Sequence, residues 1–116
     1  MEINLGDFKN SDSSVFTGRP QGKLVRQRLN LDKIDTNTEI VYFIIPDGVT
    51  SINPSFFLGL LFDSYKKLKD SFNSKYKFRF LSNNPETVNV LKENINDALR
   101  NAHNSVNVDF NNLFNL

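Results

Sequence analysis

Six consecutive apolar residues, Ile40 to Ile45 (IVYFII), are the longest uninterrupted apolar run in this chain of 116 residues. The run falls far short of the roughly 20 residues that span a bilayer. Its β-branched and aromatic residues are those of a strand inside a sheet, and an unbroken apolar run predicts cover on both faces. Pro46-Asp47-Gly48 ends it, and Val49 to Ile52 extends the pairing briefly. Asn53 and Pro54 then form a helix start, with Asn as N-cap and Pro at the first helical position. Glu39 to Leu61 therefore reads as strand, turn and helix.

The helix after Asn53 is expected to run to about Phe72. Phe57, Leu58, Leu61, Phe62, Tyr65, Leu68 and Phe72 recur at three- and four-residue spacing and mark its buried face. Lys75 to Leu81 alternates as a strand, and Asn84-Pro85-Glu86 repeats the start signal. Val88, Leu91, Ile95, Leu99 and Ala102 predict a further amphipathic helix. At the other end, Glu2 to Phe8 predicts an edge strand, Lys9 to Ser14 a turn, and Ser14 to Thr17 a short strand. Gly18-Arg19-Pro20 breaks it, and Leu24, Val25, Leu29 and Leu31 predict a helix from about Gln21 to Leu31. Asp32 to Thr38 is a polar connection. The Asn-rich tail from Asn104 carries Val106, Val108, Phe110, Leu113 and Phe114 and reads as a final strand or a docked arm. The order is β-β-α-β-α-β-α. It predicts one α/β domain over residues 1–116, a mixed sheet with helices packed on it.

Composition narrows the chemistry. The chain has no Cys, so disulfides, thiolate catalysis and Cys-ligated zinc are excluded, and one histidine makes no multi-histidine metal site. No cofactor or metal is expected. A net charge of +1, from 14 basic and 13 acidic residues, argues against a dedicated nucleic-acid binder. The first ten residues lack the basic start and apolar core of a signal peptide, which predicts a cytoplasmic protein without a membrane partner. Abundant Asn, Lys, Ile and Phe is the mark of an AT-rich coding sequence and hints at a bacterial or phage origin.

The strand-to-helix junction is the candidate site. A helix start offers N–H groups and a positive dipole end to a negative group. Ser55 reads as a phosphoacceptor or anion contact there, or as an ordinary first-turn residue. Ser51 is a second acceptor or a turn residue, and Asn53 is the cap. Arg19, between Gly18 and Pro20, reads as an anion-binding fork or an exposed loop residue. Phe56 lies off the main apolar face, and Gly59 costs helix propensity. The close approach of a partner, or of a neighbouring backbone, would account for both. Arg19, Lys23, Arg26 and Arg28 form a basic cluster that meets an acidic partner or is simply a solvated helix face.

Gly48 to Leu68, GVTSINPSFFLGLLFDSYKKL, resembles the STAS domain family, the fold of bacterial anti-sigma factor antagonists. In that family an apolar strand leads through a V-T-x-(I/M)-D-S-S-G-L type turn into a helix. Val49-Thr50-Ser51-Ile52-Asn53-Pro54-Ser55-Phe56-Phe57-Leu58-Gly59 is the matching stretch. The chain is closer still to a STAS-like family of unknown function found in bacterial and mobile-element proteins. Thr17, Arg19 and Gly22, followed by Arg26 and Leu29, approximate its Thr-Arg-x-x-Gly segment with Gly18 inserted after Thr17, and Ser55-Phe56 matches its Ser-Phe. Pro54 stands where antagonists carry the phosphorylated Ser, and Ser55 follows one position later.

The resemblance implies a small regulatory module acting by protein–protein contact. It implies as partner a histidine-kinase-like ATPase or a sensor. The alternative is a domain that binds a small anionic ligand such as a nucleotide, held by Arg19 and the N–H groups after Asn53. No nucleophile–base pair or phosphate loop supports an enzyme.

Overall fold

The structure is a computed structural model that describes residues 1–8, 15–16 and 18–114, with side chains for 1–8 and 18–104. The turn expected over 9–14 and Thr17 of the Thr-Arg-x-x-Gly match lie outside the described residues.

The first strand, β1, spans Glu2–Asn4. It stops short of the expected Phe8 because the Asn4 side chain accepts the Gly6 N–H at 2.8 Å and bends the chain into a 3-10 turn over Leu5–Phe8. A short β2 follows at Val15–Phe16, then α1 over Arg19–Leu29. Asn30 adopts the left-handed conformation (φ 55°) and breaks the expected helix, and Leu31–Ile34 forms a separate turn, α2. Then come β3 (Val41–Ile45), β4 (Ser51–Ile52) and α3 (Pro54–Leu68). A 3-10 turn leads into the short α4, Phe72–Lys75, and β5 runs over Tyr76–Phe80. The last helix, α5, covers Pro85–Phe114.

The class is α/β. One sheet has the order β1-β3-β5, and β2 pairs with β4 in a second. The mixed sheet expected from the sequence is corrected: every described pairing is parallel. Each main strand is followed by helix, which carries the chain back to the start of the next. Val41–Ile45 of the apolar run is the central strand, with β1 on one edge and β5 on the other, while Ile40 lies outside it and is exposed.

Helical cover is found on one face of the sheet. Val41, Phe43 and Ile45 are fully buried, and Ile3, Phe43 and Phe78 lie in register across the three strands. Phe57 of α3 meets Phe78 edge-on at 5.6 Å between ring centres. Ile95 and Ala98 of α5 close the same gap. On the opposite face Glu2, Asn4, Lys77 and Arg79 are exposed and Tyr42 and Ile44 are half-buried. The expectation of two covered faces therefore fails. The flanking strands are polar there, and Arg79 reaches across β3 to Glu2 at 2.7 Å, with its guanidinium 4.7 Å from the Tyr42 ring centre.

The strand or docked arm expected from Asn104 is helix as far as Phe114. Once a helix is nucleated, each added residue costs little, so a segment of mixed pattern continues it. His103 is thus inside a helix, with its Nδ1 3.0 Å from the Tyr65 hydroxyl. Among the described residues no helix is long and apolar enough to cross a membrane.

Candidate functional site

The junction is built by short-range chemistry. Asn53 is extended (φ −61°, ψ 130°), and its side chain accepts the Ser55 N–H at 2.8 Å. Its carbonyl accepts the Phe56 N–H at 2.9 Å. Pro54 has no N–H to offer. The first donors of α3 are therefore already used by the cap, and little is left to cradle an anion. Ser55 itself is exposed, while Ser51 is half-buried in β4. A hydrogen bond of 2.8 Å from the Ile52 N–H to Asn94 Oδ1 anchors the strand to α5.

Phe56 and Gly59 are not partner-facing. Phe56 is completely buried and packs edge-on against Phe57 at 6.0 Å. Gly59 faces α1, where a β-carbon would stand 2.1 Å from the Arg19 carbonyl oxygen. Both are corrected as partner contacts, while the close approach of a neighbouring backbone, the other reading, holds at Gly59. The helix α3 is packed on two sides, with Phe57 toward the sheet and Gly59 toward α1.

Arg19 is exposed, but its guanidinium lies 5.7 Å from the Phe62 ring centre. Phe62 is two helical turns beyond Ser55, about 10 Å along the axis. The structure thus brings Asn53 and Ser55 together and places Arg19 beside the middle of α3. Concavities open elsewhere: about 420 Å³ beside Asn30, Asp32 and Asp63, about 310 Å³ between β5 and α5, and about 280 Å³ beside Thr38 and Ser74. None of the three is lined by Ser51, Asn53, Ser55 or Arg19.

A polar network in the interior escaped the sequence reading. Arg26, expected on a solvated face, is buried, as are Asp35, Ser64 and Tyr76. One Asp35 oxygen accepts from the Ser64 hydroxyl at 2.6 Å and from the Tyr76 hydroxyl. The other accepts from Arg26 at 2.8 Å and from Lys67 at 3.3 Å. Arg26 also donates to the Leu60 carbonyl at 2.9 Å, to Ser64 Oγ at 2.7 Å and to Asp32 at 2.6 Å. Burial pushes the Asp35 carboxyl up, but hydrogen bonds from Ser64, Tyr76 and Arg26 outweigh it and hold the group below the usual carboxylate range. Burial, then the neighbouring Asp35, push the Tyr76 hydroxyl well above its ordinary value.

The Ser64 and Tyr76 hydroxyls have a carboxylate partner, yet Ser64 and the Asp35 side chain have no exposure at all. The network instead ties α1, the segment after α2, α3 and β5 together. Its one sequence signal is the helical spacing of Leu60 and Ser64, which places a hydroxyl on an otherwise apolar face.

Neither a protein-family model, nor a curated protein, nor a solved structure matches this chain.

Proposed function

We propose that this chain is a small STAS-like regulatory module that acts by protein–protein contact through the junction 49–55. The exposed Ser55, held at the start of α3 by the Asn53 cap, carries this reading. A phosphate there would add charge and strong acceptors to a surface that a partner can touch. The favoured partner class, by resemblance alone, is a histidine-kinase-like ATPase or a sensor. Cytoplasmic location and a protein rather than nucleic-acid partner belong to the same reading, in keeping with the near-zero net charge.

The anionic-ligand alternative has less behind it. It needs free N–H groups at the start of α3 and a cation aimed at them. The Asn53 side chain and carbonyl take the Ser55 and Phe56 donors, and Arg19 stacks on Phe62.

The test is capture of partners from the native host by wild type, Ser55→Ala, Ser55→Asp and Arg19→Ala, with mass spectrometry of what is retained. The proposal expects an ATPase or sensor on wild type and a clear change with Ser55→Asp. Identical capture by wild type and both Ser55 variants would remove the junction as the contact, whatever Arg19→Ala does beside the middle of α3.

A further inference from the structure

We propose that the outer edge of β5, with the groove it forms against α5, accepts an extended acidic peptide segment as an added strand. The proposal rests on none of the junction residues.

The edge comes first. In the order β1-β3-β5, β5 ends the sheet, and among the described residues no strand pairs with its outer side. The Leu81 N–H is bonded inward, to the Ile45 carbonyl at 3.0 Å. Backbone groups alternate sides along a strand, so the N–H and C=O groups of Phe78 and Phe80 face outward. An unpaired row of this kind is a template for another strand. The opposite edge is a poorer one: β1 has three residues and runs straight into the 3-10 turn.

The groove comes second. A concavity of about 310 Å³ lies along β5 beneath α5. Phe78, Phe80 and Leu99, all half-buried, form its floor. In strand addition, backbone bonds provide affinity and pockets for alternate side chains provide specificity. Both parts are present here, side by side.

Charge selects the partner. Lys92 stands on the α5 side of the groove and Lys77 rises from β5 on the open face of the sheet; both are exposed, and no carboxylate lines the groove. The Lys92 ammonium stands 6.0 Å from the Phe80 ring centre, at the mouth of the groove. Asn96 adds a neutral donor and acceptor to the rim. The same two lysines disfavour a basic segment and a second β5 carrying its own Lys77. The fitting occupant is a strand with apolar side chains facing the floor and carboxylates alternating with them.

The probe is a synthetic pool of peptides of about seven residues, the length of a typical strand with its flanks. Glu or Asp alternates in it with Val, Ile, Leu or Phe. The isotope-labelled chain of residues 1–116 is titrated with the pool, with a basic pool (Lys for Glu and Asp), and with the acidic pool carrying a central Pro. Shift changes are expected at 76–81 and 92–99, with slowed hydrogen exchange of the Phe78 and Phe80 amides. A Lys77→Glu/Lys92→Glu variant with an unchanged spectrum elsewhere should bind about tenfold more weakly or less. The basic and Pro-interrupted pools should not bind. Any of four results overturns the proposal: no binding at millimolar peptide, indifference to charge reversal or to Pro, shift changes centred elsewhere, or a concentration-dependent dimer paired through β5.

Discussion

Gly22 and Gly59 face each other across the contact between α1 and α3. A β-carbon on Gly22 would stand 2.1 Å from the Phe56 carbonyl oxygen and 3.1 Å from the Gly59 carbonyl carbon. One on Gly59 would stand 2.1 Å from the Arg19 carbonyl oxygen. Backbone packs on backbone here, and neither side can yield by rotating a side chain. Alanine at either position gains up to about 1 kcal/mol in helix propensity. Prising the helices apart costs more, typically about 1–3 kcal/mol for overpacking. Gly22→Ala and Gly59→Ala should each lower stability in denaturant melts, and an unchanged or raised midpoint would contradict the close approach.

The Asp35 network makes a prediction for pH. The folded-state pKa of Asp35 is depressed, so its contribution is fully present above the unfolded value of about 3.9 and is lost as pH falls further. Tyr76 is shifted up, so its contribution is present below about pH 10 and is lost above it. Asp35→Asn keeps the shape but turns an NH₂ toward donors, whichever way the amide is oriented, and leaves Arg26 short of a buried partner. The expected loss at neutral pH is about 3 kcal/mol. Tyr76→Phe should cost about 1.5–3 kcal/mol and flatten the alkaline limb of the stability profile. Urea melts from about pH 3 to about pH 11 follow both limbs. An alkaline limb that survives Tyr76→Phe unchanged would assign it to another group.

Elements with a strong local signal were legible before the fold was known. All of the apolar run but Ile40 is the central strand, and both Asn-Pro steps start helices: Asn53 caps Ser55, and Asn84 accepts the Glu86 N–H at 2.9 Å. What failed depends on contacts between distant residues. Arg26 reads as surface because its partners Asp35 and Ser64 are 9 and 38 residues away in the chain. Leu24 reads as core by spacing, yet it is exposed, because α1 turns Gly22 toward α3 instead. Phe56 lies off the main apolar stripe, and the stripe alone leaves open whether a partner or the chain itself covers that second side of α3. At the site, the Asn53–Ser55 geometry was local and legible, whereas the place of Arg19 is set by how α1 crosses α3.

Phe43 is the sharpest test of the core. It is fully buried at the centre of the sheet, with Tyr76 and Phe78 each stacked 5.8 Å away between ring centres. Phe43→Ala should cost about 3–5 kcal/mol, since the two β5 rings cannot collapse into the gap without breaking register. A loss below about 1 kcal/mol would mean that the position is not buried.

Ser55 and its cap should respond in opposite ways to substitution. The Ser55 side chain is exposed, and only its backbone N–H takes part in the cap. Ser55→Ala and Ser55→Asp should therefore move stability by less than about 1 kcal/mol, and the aspartate should sit well with the positive end of the α3 dipole. Asn53→Ala removes the acceptor of that N–H at 2.8 Å and should cost about 1 kcal/mol. The contrast matters for function. If Ser55→Asp alters partner capture while leaving the melt in place, the change is one of surface charge and not of folding. If Asn53→Ala alters capture in proportion to its lost stability, the cap acts only by holding the helix start. Thermal melts of the three variants, run beside the capture assay on the same preparations, separate the two. A melt shifted by Ser55→Asp as far as by Asn53→Ala would show that the junction senses charge through its fold, and the surface switch would fall.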